Sequence, residues 1–373
     1  MTALHTDITQ TKTTGYAAAH ARSPLAPIDY TLRELGPHDV RIDIQFCGVC
    51  HSDIHQARDE WHNTVWPCLP GHEIVGTVAE IGEHVTRYKE GDIVGVGCMV
   101  DSCRHCRSCR AGDEQYCEGP HGFTATYNGP LKPDGSNTYG GYATGIVVTE
   151  DFVLNIPRLL EPKLAAPLLC SGVTTYSPMK RYRIGNGDKV GIAGIGGLGH
   201  VAIQIAKALG AEVVAFTRSP EKARDALRFG ASEVVVSTDE QAMARHAGTF
   251  DFILSTIPEA HDVNPYVKLL KRDGRITLVG LLAPIETPLD NSVLAFNRLS
   301  FGGSLIGSIE ETQEILEFCA AQGIVPEVET IPIERINEAF DDVVAAKVRY
   351  RYVIDASSLE KDGAGRVAAN GRG

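Results

Sequence analysis

Four cysteines, Cys103, Cys106, Cys109 and Cys117, stand in one short stretch of this 373-residue chain. Thiolates at that spacing can close a tetrahedral shell around zinc. A four-thiolate shell leaves no open position, so the role it predicts is structural. Two disulfides or an iron–sulfur cluster are the alternatives. Disulfides persist poorly in a reducing compartment, and the spacing departs from ferredoxin-type runs. Three further residues of ligand type lie far apart in the chain. Cys50 sits in Gly48-Val49-Cys50-His51-Ser52-Asp53, His72 in Gly71-His72-Glu73, and Cys170 in Leu168-Leu169-Cys170-Ser171-Gly172. A cysteine in an apolar run is commonly core, and a lone histidine commonly satisfied by a hydrogen bond. Composition alone therefore leaves this trio open as a metal site.

A second kind of chemistry is written in Gly194-Ile195-Gly196-Gly197-Leu198-Gly199. Gly194, Gly196 and Gly199 occupy the GxGxxG positions between an apolar strand and a helical pattern. One glycine makes the tight turn, one lets the backbone approach a pyrophosphate, and one lets helix and strand pack. The helix N-terminus adds free N–H donors. An NAD enzyme needs a carboxylate at the end of the next strand for the ribose hydroxyls. Here Thr217, Arg218 and Ser219 stand there, with Lys222 close behind. Two hydroxyls and two cations suit a 2′-phosphate, which favours NADP(H) over NAD(H). The competing view is that Arg218 and Lys222 are solvated charges at a helix start. Glu221 lies too far along to be the usual acid.

These groups need elements to hold them. Residues 16–160 are rich in glycine and short β-branched runs, and 41–47, 73–81 and 92–96 read as strands of a β-domain with long loops. From about residue 165 the texture changes. Apolar strands at 189–193, 212–217, 233–237, 250–256 and 275–280 alternate with stretches of helix length, among them Val201, Ile205, Ala206 and Leu209 at helical spacing. That alternation predicts an α/β fold with a doubly wound parallel sheet. Residues 299–307 read as its last strand and 310–322 as a helix. Strands at 326–332 and 350–354 could rejoin the first domain. The expected partition is 1–164, 165–307 and a return over 308–356, with a glycine- and charge-rich tail at 357–373 expected to be disordered.

The bulk numbers narrow the class. Hydrophobic residues make up 43% and the net charge is -12, so a sizeable core is available and non-specific nucleic-acid binding is disfavoured. No apolar run approaches the roughly 20 residues of a membrane helix. The opening residues carry no secretory pattern. The expectation is a cytoplasmic protein, where ten cysteines point to metal or redox chemistry.

Taken together and in order, these motifs resemble the zinc-containing medium-chain dehydrogenase/reductase family over about residues 16–355. Within it the chain is most similar to the cinnamyl-alcohol-dehydrogenase-type branch, which includes bacterial broad-range aldehyde reductases. The closer likeness is carried by Cys47 to His55, Pro70-Gly71-His72-Glu73, Leu168 to Pro178, and Gly303-Ser304-Leu305-Ile306-Gly307. The resemblance implies a GroES-like β-barrel catalytic domain, an inserted Rossmann domain, and an active site in the cleft between them. It implies that Cys50, His72 and Cys170 bind a catalytic zinc, with Glu73 an outer or transient ligand, and that Asp53 orients His72. Ser52 and His55 would relay a proton to solvent through the cofactor ribose. Thr174, Ser304 and Ile306 would approach the nicotinamide, and Gly197, the Leu198 N–H and His51 the pyrophosphate.

The implied activity is hydride transfer between NADPH and aromatic or aliphatic aldehydes, with primary alcohols as substrates in reverse. A polyol or secondary-alcohol dehydrogenase is the nearer rival, although many of those carry glutamate where Cys170 stands. A non-catalytic NADP-binding redox sensor is the more distant one. Trp61 and Trp66 could shape the substrate pocket or merely pack, and the polar loop 124–139 could lie over the cleft or on the surface. A homodimer is implied, paired through the last sheet strand.

Overall fold

The structure is a computed structural model that describes residues 11–130, 137–280 and 284–359. Six parallel strands form one sheet in the order Glu233–Val236, Glu212–Thr217, Lys189–Ala193, Phe250–Ser255, Leu270–Leu278 and Ser300–Gly303. The central strands are apolar along nearly their whole length because helices cover both faces. Val213 to Thr217 are all buried, as are Phe252 to Ser255. The chain runs outward in one direction from Lys189–Ala193 and then returns to its other side. That reversal opens a crevice at the strands' carboxyl ends, where ligands bind in such sheets.

The last strand is shorter than the expected 299–307. It ends at Gly303, and Ile306 has φ +37°, a left-handed backbone that no strand residue adopts. Residues 304–307 turn away from the sheet toward the other domain.

The second large sheet has the order Val328–Pro332, Arg351–Asp355, Asp39–Gly48, Ile74–Ile81, Ile93–Val96 and Leu154–Asn155, and Gly145–Thr149 also pairs with Asp39–Gly48. The two late strands thus rejoin the N-terminal domain. Asp39–Gly48 buries Val40, Ile42 and Ile44 on alternate positions. Register shifts at Arg41/Ile42 and Ile44/Phe46 bend it against Ile74–Ile81. The motif around Cys170 opens a helix, Ser171–Arg181, that hydrophobic periodicity does not announce. Ser171 through Met179 are all buried, so no polar face alternates with an apolar one.

Residues 357–359 correct the expectation of a disordered tail from 357 onward. Leu359 is buried in the N-terminal core, and the Ser358 hydroxyl accepts the Ile333 N–H at 2.9 Å. The rest of that stretch, 360–373, lies outside the described residues. No described helix is long and apolar enough to cross a membrane.

Candidate active site

Cys50 caps the short helix His51–Ala57, His72 and Glu73 immediately precede the strand Ile74–Ile81, and Cys170 immediately precedes the helix Ser171–Arg181. Element ends are fixed in space by the packing of the elements themselves, so residues 120 positions apart meet. One ligand atom from each of Cys50, His72, Glu73 and Cys170 lies within 4.8 Å of every other, and all four residues are buried. The Cys50 and Cys170 sulfurs are 4.0 Å apart. Two thiolates on one tetrahedral zinc would stand roughly 3.8 Å apart, from the usual Zn–S length.

The Glu73 carboxylate fits a cation held beside it. It is fully buried, and Arg351 Nη2 stands 3.1 Å from Oε1, yet neither oxygen makes an aligned hydrogen bond. A carboxylate in that state is costly without a further positive partner. Its space is reserved, since a Cβ on Gly48 would stand 1.9 Å from Glu73 Oε2. The Cys170 thiol, directed at Cys50, holds Cys50 well below the ordinary thiol range and Cys170 above it.

Asp53 organises the ring of His72. Its Oδ1 lies 3.2 Å from His72 Nδ1, while its Oδ2 accepts the Cys50 N–H and the Tyr142 hydroxyl at 2.8 and 2.9 Å. With Nδ1 engaged, Nε2 is left for a metal. The hydroxyl of Tyr127 also lies 3.3 Å from Nδ1.

In the four-cysteine lobe Cys103, Cys106, Cys109 and Cys117 converge within the same 4.8 Å limit. All ten cysteines are free, so the disulfide alternative does not describe this chain. Backbone N–H groups are aimed at the sulfurs. Cys106 accepts from Cys109 and Glu118 at 3.4 and 3.3 Å, and these two donors pull its pKa down to about 6. A sulfur favoured as a thiolate in this way is a ready metal ligand, whereas burial pushes the Cys109 thiol up to about 12.

Between the domains lies a cleft of about 450 Å³. Cys50, Ser52, Cys170 and Thr174 form one end, Gly194, Gly196, Gly197 and Leu198 the middle, and Thr217, Arg218, Ser219 and Lys222 the other end. The glycine roles are visible. Gly194 has φ +94°, a Cβ on Gly199 would stand 1.9 Å from the Gly194 carbonyl oxygen, and a Cβ on Gly196 would meet nothing within 4 Å. Gly196 thus leaves an open cradle on the cleft side, as a bound pyrophosphate requires.

Lys222 Nζ donates to the Ile195 carbonyl at 3.0 Å, and burial lowers its pKa. Arg218 is exposed and faces Glu259 at 3.4 Å. Glu221 is absent from the lining. Thr174 Oγ1 is buried without a hydrogen-bond partner at the metal end.

Ser52 Oγ lies 3.8 Å from Cys50 Sγ. His55 Nδ1 is 2.5 Å from Glu60 Oε2, and its ring stacks on His51 with centroids 4.6 Å apart. Burial, and then the charge of His55, make His51 less basic than usual. Ser304, Ile306 and Trp61 line the cleft, whereas Trp66 packs on the N-terminal core. His72, Glu73 and Gly199 stand behind the lining. Of the loop 124–139, residues 131–136 lie outside the described residues. None of its described residues lines the cleft, and Tyr127 reaches His72 from behind.

Sequence reasoning missed Arg351 and Tyr127. Arg351 is 4% exposed, donates to the Val49 carbonyl at 3.0 Å, and packs its guanidinium against Gly197. It therefore ties the Cys50 end of the cleft to the glycine turn 194–199. The available signal was a cation at the head of the apolar strand Arg351–Asp355. Tyr127 had no such signal.

The family model for the alcohol dehydrogenase GroES-like domain matches residues 36–158, and that for the zinc-binding dehydrogenase matches 197–321. The chain is 50% identical to aldehyde reductase YahK of Escherichia coli (strain K12) over 343 residues, covering 92% of this chain and 97% of that protein. A cinnamyl alcohol dehydrogenase from Sorghum bicolor superimposes with TM-score 0.89 at 39% identity, covering 93% and 98% of the two chains. The cinnamyl alcohol dehydrogenase structure from Helicobacter pylori complexed with NADP(H) gives TM-score 0.86 at 40% identity, over 93% and 99%.

Proposed function

Because the chain belongs to the zinc-binding alcohol dehydrogenase family, we propose that it reduces aldehydes with NADPH and oxidises primary alcohols in reverse. The observation that carries this reading is a single cleft. One end presents the Cys50, His72 and Cys170 ligand set, the middle the Gly196 cradle, and the far end Thr217, Arg218, Ser219 and Lys222 without an aspartate among them. With zinc and NADPH bound, the site would hold a Lewis acid for the carbonyl oxygen and a hydride donor beside it.

The chain's own residues do the rest. Cys50, His72 and Cys170 hold the metal, and Asp53 keeps the His72 ring in place. Glu73, balanced by Arg351, supplies a carboxylate to the ion's surroundings. Cys103, Cys106, Cys109 and Cys117 hold a structural zinc. Ser52 stands beside Cys50 to pass a proton toward His55, whose Nδ1 is braced by Glu60 so that Nε2 can exchange with water. Thr174, Ser304 and Ile306 shape the nicotinamide end. Lys222, Arg218, Thr217 and Ser219 receive the 2′-phosphate, and Gly194, Gly196, Gly197, Leu198 and Gly199 the pyrophosphate.

On this reading the chain divides into a catalytic domain over 1–164, a cofactor domain over 165–307 and a return over 308–356. It works as a homodimer. The helix Asn291–Asn297 buries none of its residues, Phe296 is 89% exposed, and Ser300–Gly303 is an open sheet edge among the described residues. Thiolate metal sites suit the reducing cytoplasm.

The test is oxidation of NADPH with benzaldehyde or cinnamaldehyde, run beside NADH. Turnover with NADPH at least about tenfold better than with NADH is expected. A preference for NADH would overturn the assignment of Thr217 to Lys222. Absence of turnover with either aldehyde in zinc-replete protein would overturn the reaction.

A further inference from the structure

The turn 304–307 has features that the cleft alone does not explain. Ile306, a β-branched residue, sits at φ +37°, where side chains of its kind rarely stay unless their surroundings force them. The turn is pinned along its length. The Ser304 N–H bonds to the Leu278 carbonyl at 3.2 Å. A Cβ on Gly307 would stand 2.4 Å from Val173 Cγ2, so the turn is pressed against the residue preceding Thr174. Ser308 then caps the helix Ile309–Gln322 through a reciprocal bond with Glu311.

The remaining pin comes from elsewhere in the chain. The Leu305 N–H, next to the strained residue, donates to the hydroxyl of Tyr116 at 3.1 Å. Tyr116 directly precedes Cys117, and two residues earlier Glu114 Oε2 faces the Ile309 N–H at 3.4 Å. The four-cysteine lobe therefore holds the turn at Leu305 and the chain just beyond it at Ile309.

We propose that Tyr116 is a positioning residue that holds the turn 304–307 in its strained shape against the nicotinamide end of the cofactor, so that the four-cysteine lobe shapes cofactor binding. This rests on the NADP(H) reading above. Ser304, Leu305 and Ile306 line the cleft together with Cys170 and Thr174, at the opposite end from Lys222. A shift of the turn should thus be felt by the nicotinamide and not by the adenosine half.

The experiment compares Tyr116→Phe with the unaltered protein by fluorescence titration with NADPH and with adenosine 2′,5′-bisphosphate, which lacks the nicotinamide half. The expected result is a Kd for NADPH raised about threefold to tenfold, from the loss of one hydrogen bond. The Kd for the bisphosphate should change by less than about twofold. In an Ile306→Gly background, where positive φ carries no penalty, the same Tyr116→Phe change should weaken NADPH by less than about twofold. Equal loss for both ligands, no loss for NADPH, or an undiminished effect in the glycine background would overturn the proposal. An unaltered protein that binds AMP and NADH in place of the bisphosphate and NADPH would overturn the NADP(H) reading instead, and the Tyr116 comparison then decides on that pair.

Discussion

At the scale of single residues, the site is a set of charges that make sense only in company. Glu73 is buried against Arg351 without an aligned hydrogen bond, and the Cys50 and Cys170 sulfurs are 4.0 Å apart. A metal dication relieves all of these at once. Cys50→Ala should therefore remove one zinc of about two per chain, measured by plasma mass spectrometry, and cut aldehyde reduction on the order of a thousandfold. Unchanged metal content in that variant would mean Cys50 is not a ligand. At the other end, Lys222 is half-buried and its ammonium already leans on the Ile195 carbonyl. Lys222→Ala should raise the KM for NADPH about tenfold or more, with little change for NADH, because only the former carries the 2′-phosphate. Equal effects on the two cofactors would place Lys222 outside the phosphate site.

At the scale of elements, the glycine turn 194–199 is held by the helix that follows it. His200, in the first turn of the helix Gly199–Ala208, donates from Nδ1 to the Gly196 carbonyl at 2.9 Å and accepts the Glu327 N–H at Nε2 at 3.2 Å. One neutral ring thus joins the cofactor turn to the segment that returns to the catalytic domain. Burial pushes its pKa down to about 4 from an ordinary 6.5. Between those values the unfolded chain binds the proton and the folded chain does not. Stability from this group is complete above pH 6.5 and is lost as the pH falls toward 4, by about 3 kcal/mol in all. Denaturant midpoints for the natural protein and His200→Asn should accordingly draw closer together between pH 7 and pH 4.5. A gap that stays constant over that range would contradict the neutral buried ring.

At the scale of the whole molecule, the cleft lies between two domains whose cores adjoin, since Val75 and Leu154 of the N-terminal sheet cluster with Ile192 and Leu254 of the parallel sheet. The late strands Val328–Pro332 and Arg351–Asp355 return to the N-terminal sheet, and Arg351 spans from Val49 and Glu73 to Gly197. Among the described residues the parallel sheet ends in the open edge Ser300–Gly303, and Phe296 of the preceding helix is exposed. If that edge pairs with a second copy, Phe296→Asp should shift sedimentation from dimer to monomer, because a charge would be buried in an apolar seam. A chain already monomeric before the change would remove the homodimer from the proposed function.

Local chemistry was legible wherever a few adjacent residues carry it. The four cysteines within one lobe, the glycine spacing of the phosphate turn and the absence of a carboxylate at Thr217 to Ser219 can each be read without coordinates. The apolar strands of the doubly wound sheet announce themselves for the same reason, since burial on both faces is written residue by residue. The Cys50, His72 and Cys170 cluster was different. Its members are far apart in the chain, and only the resemblance of their surrounding motifs proposed it. What tertiary structure alone decided are the contacts between distant segments: Arg351 against Glu73, Tyr127 behind His72, Tyr116 under Leu305, and the helix after Cys170 whose complete burial erased its periodicity. Each depends on how separate elements pack, and which distant segment a residue meets is not written in the residues beside it.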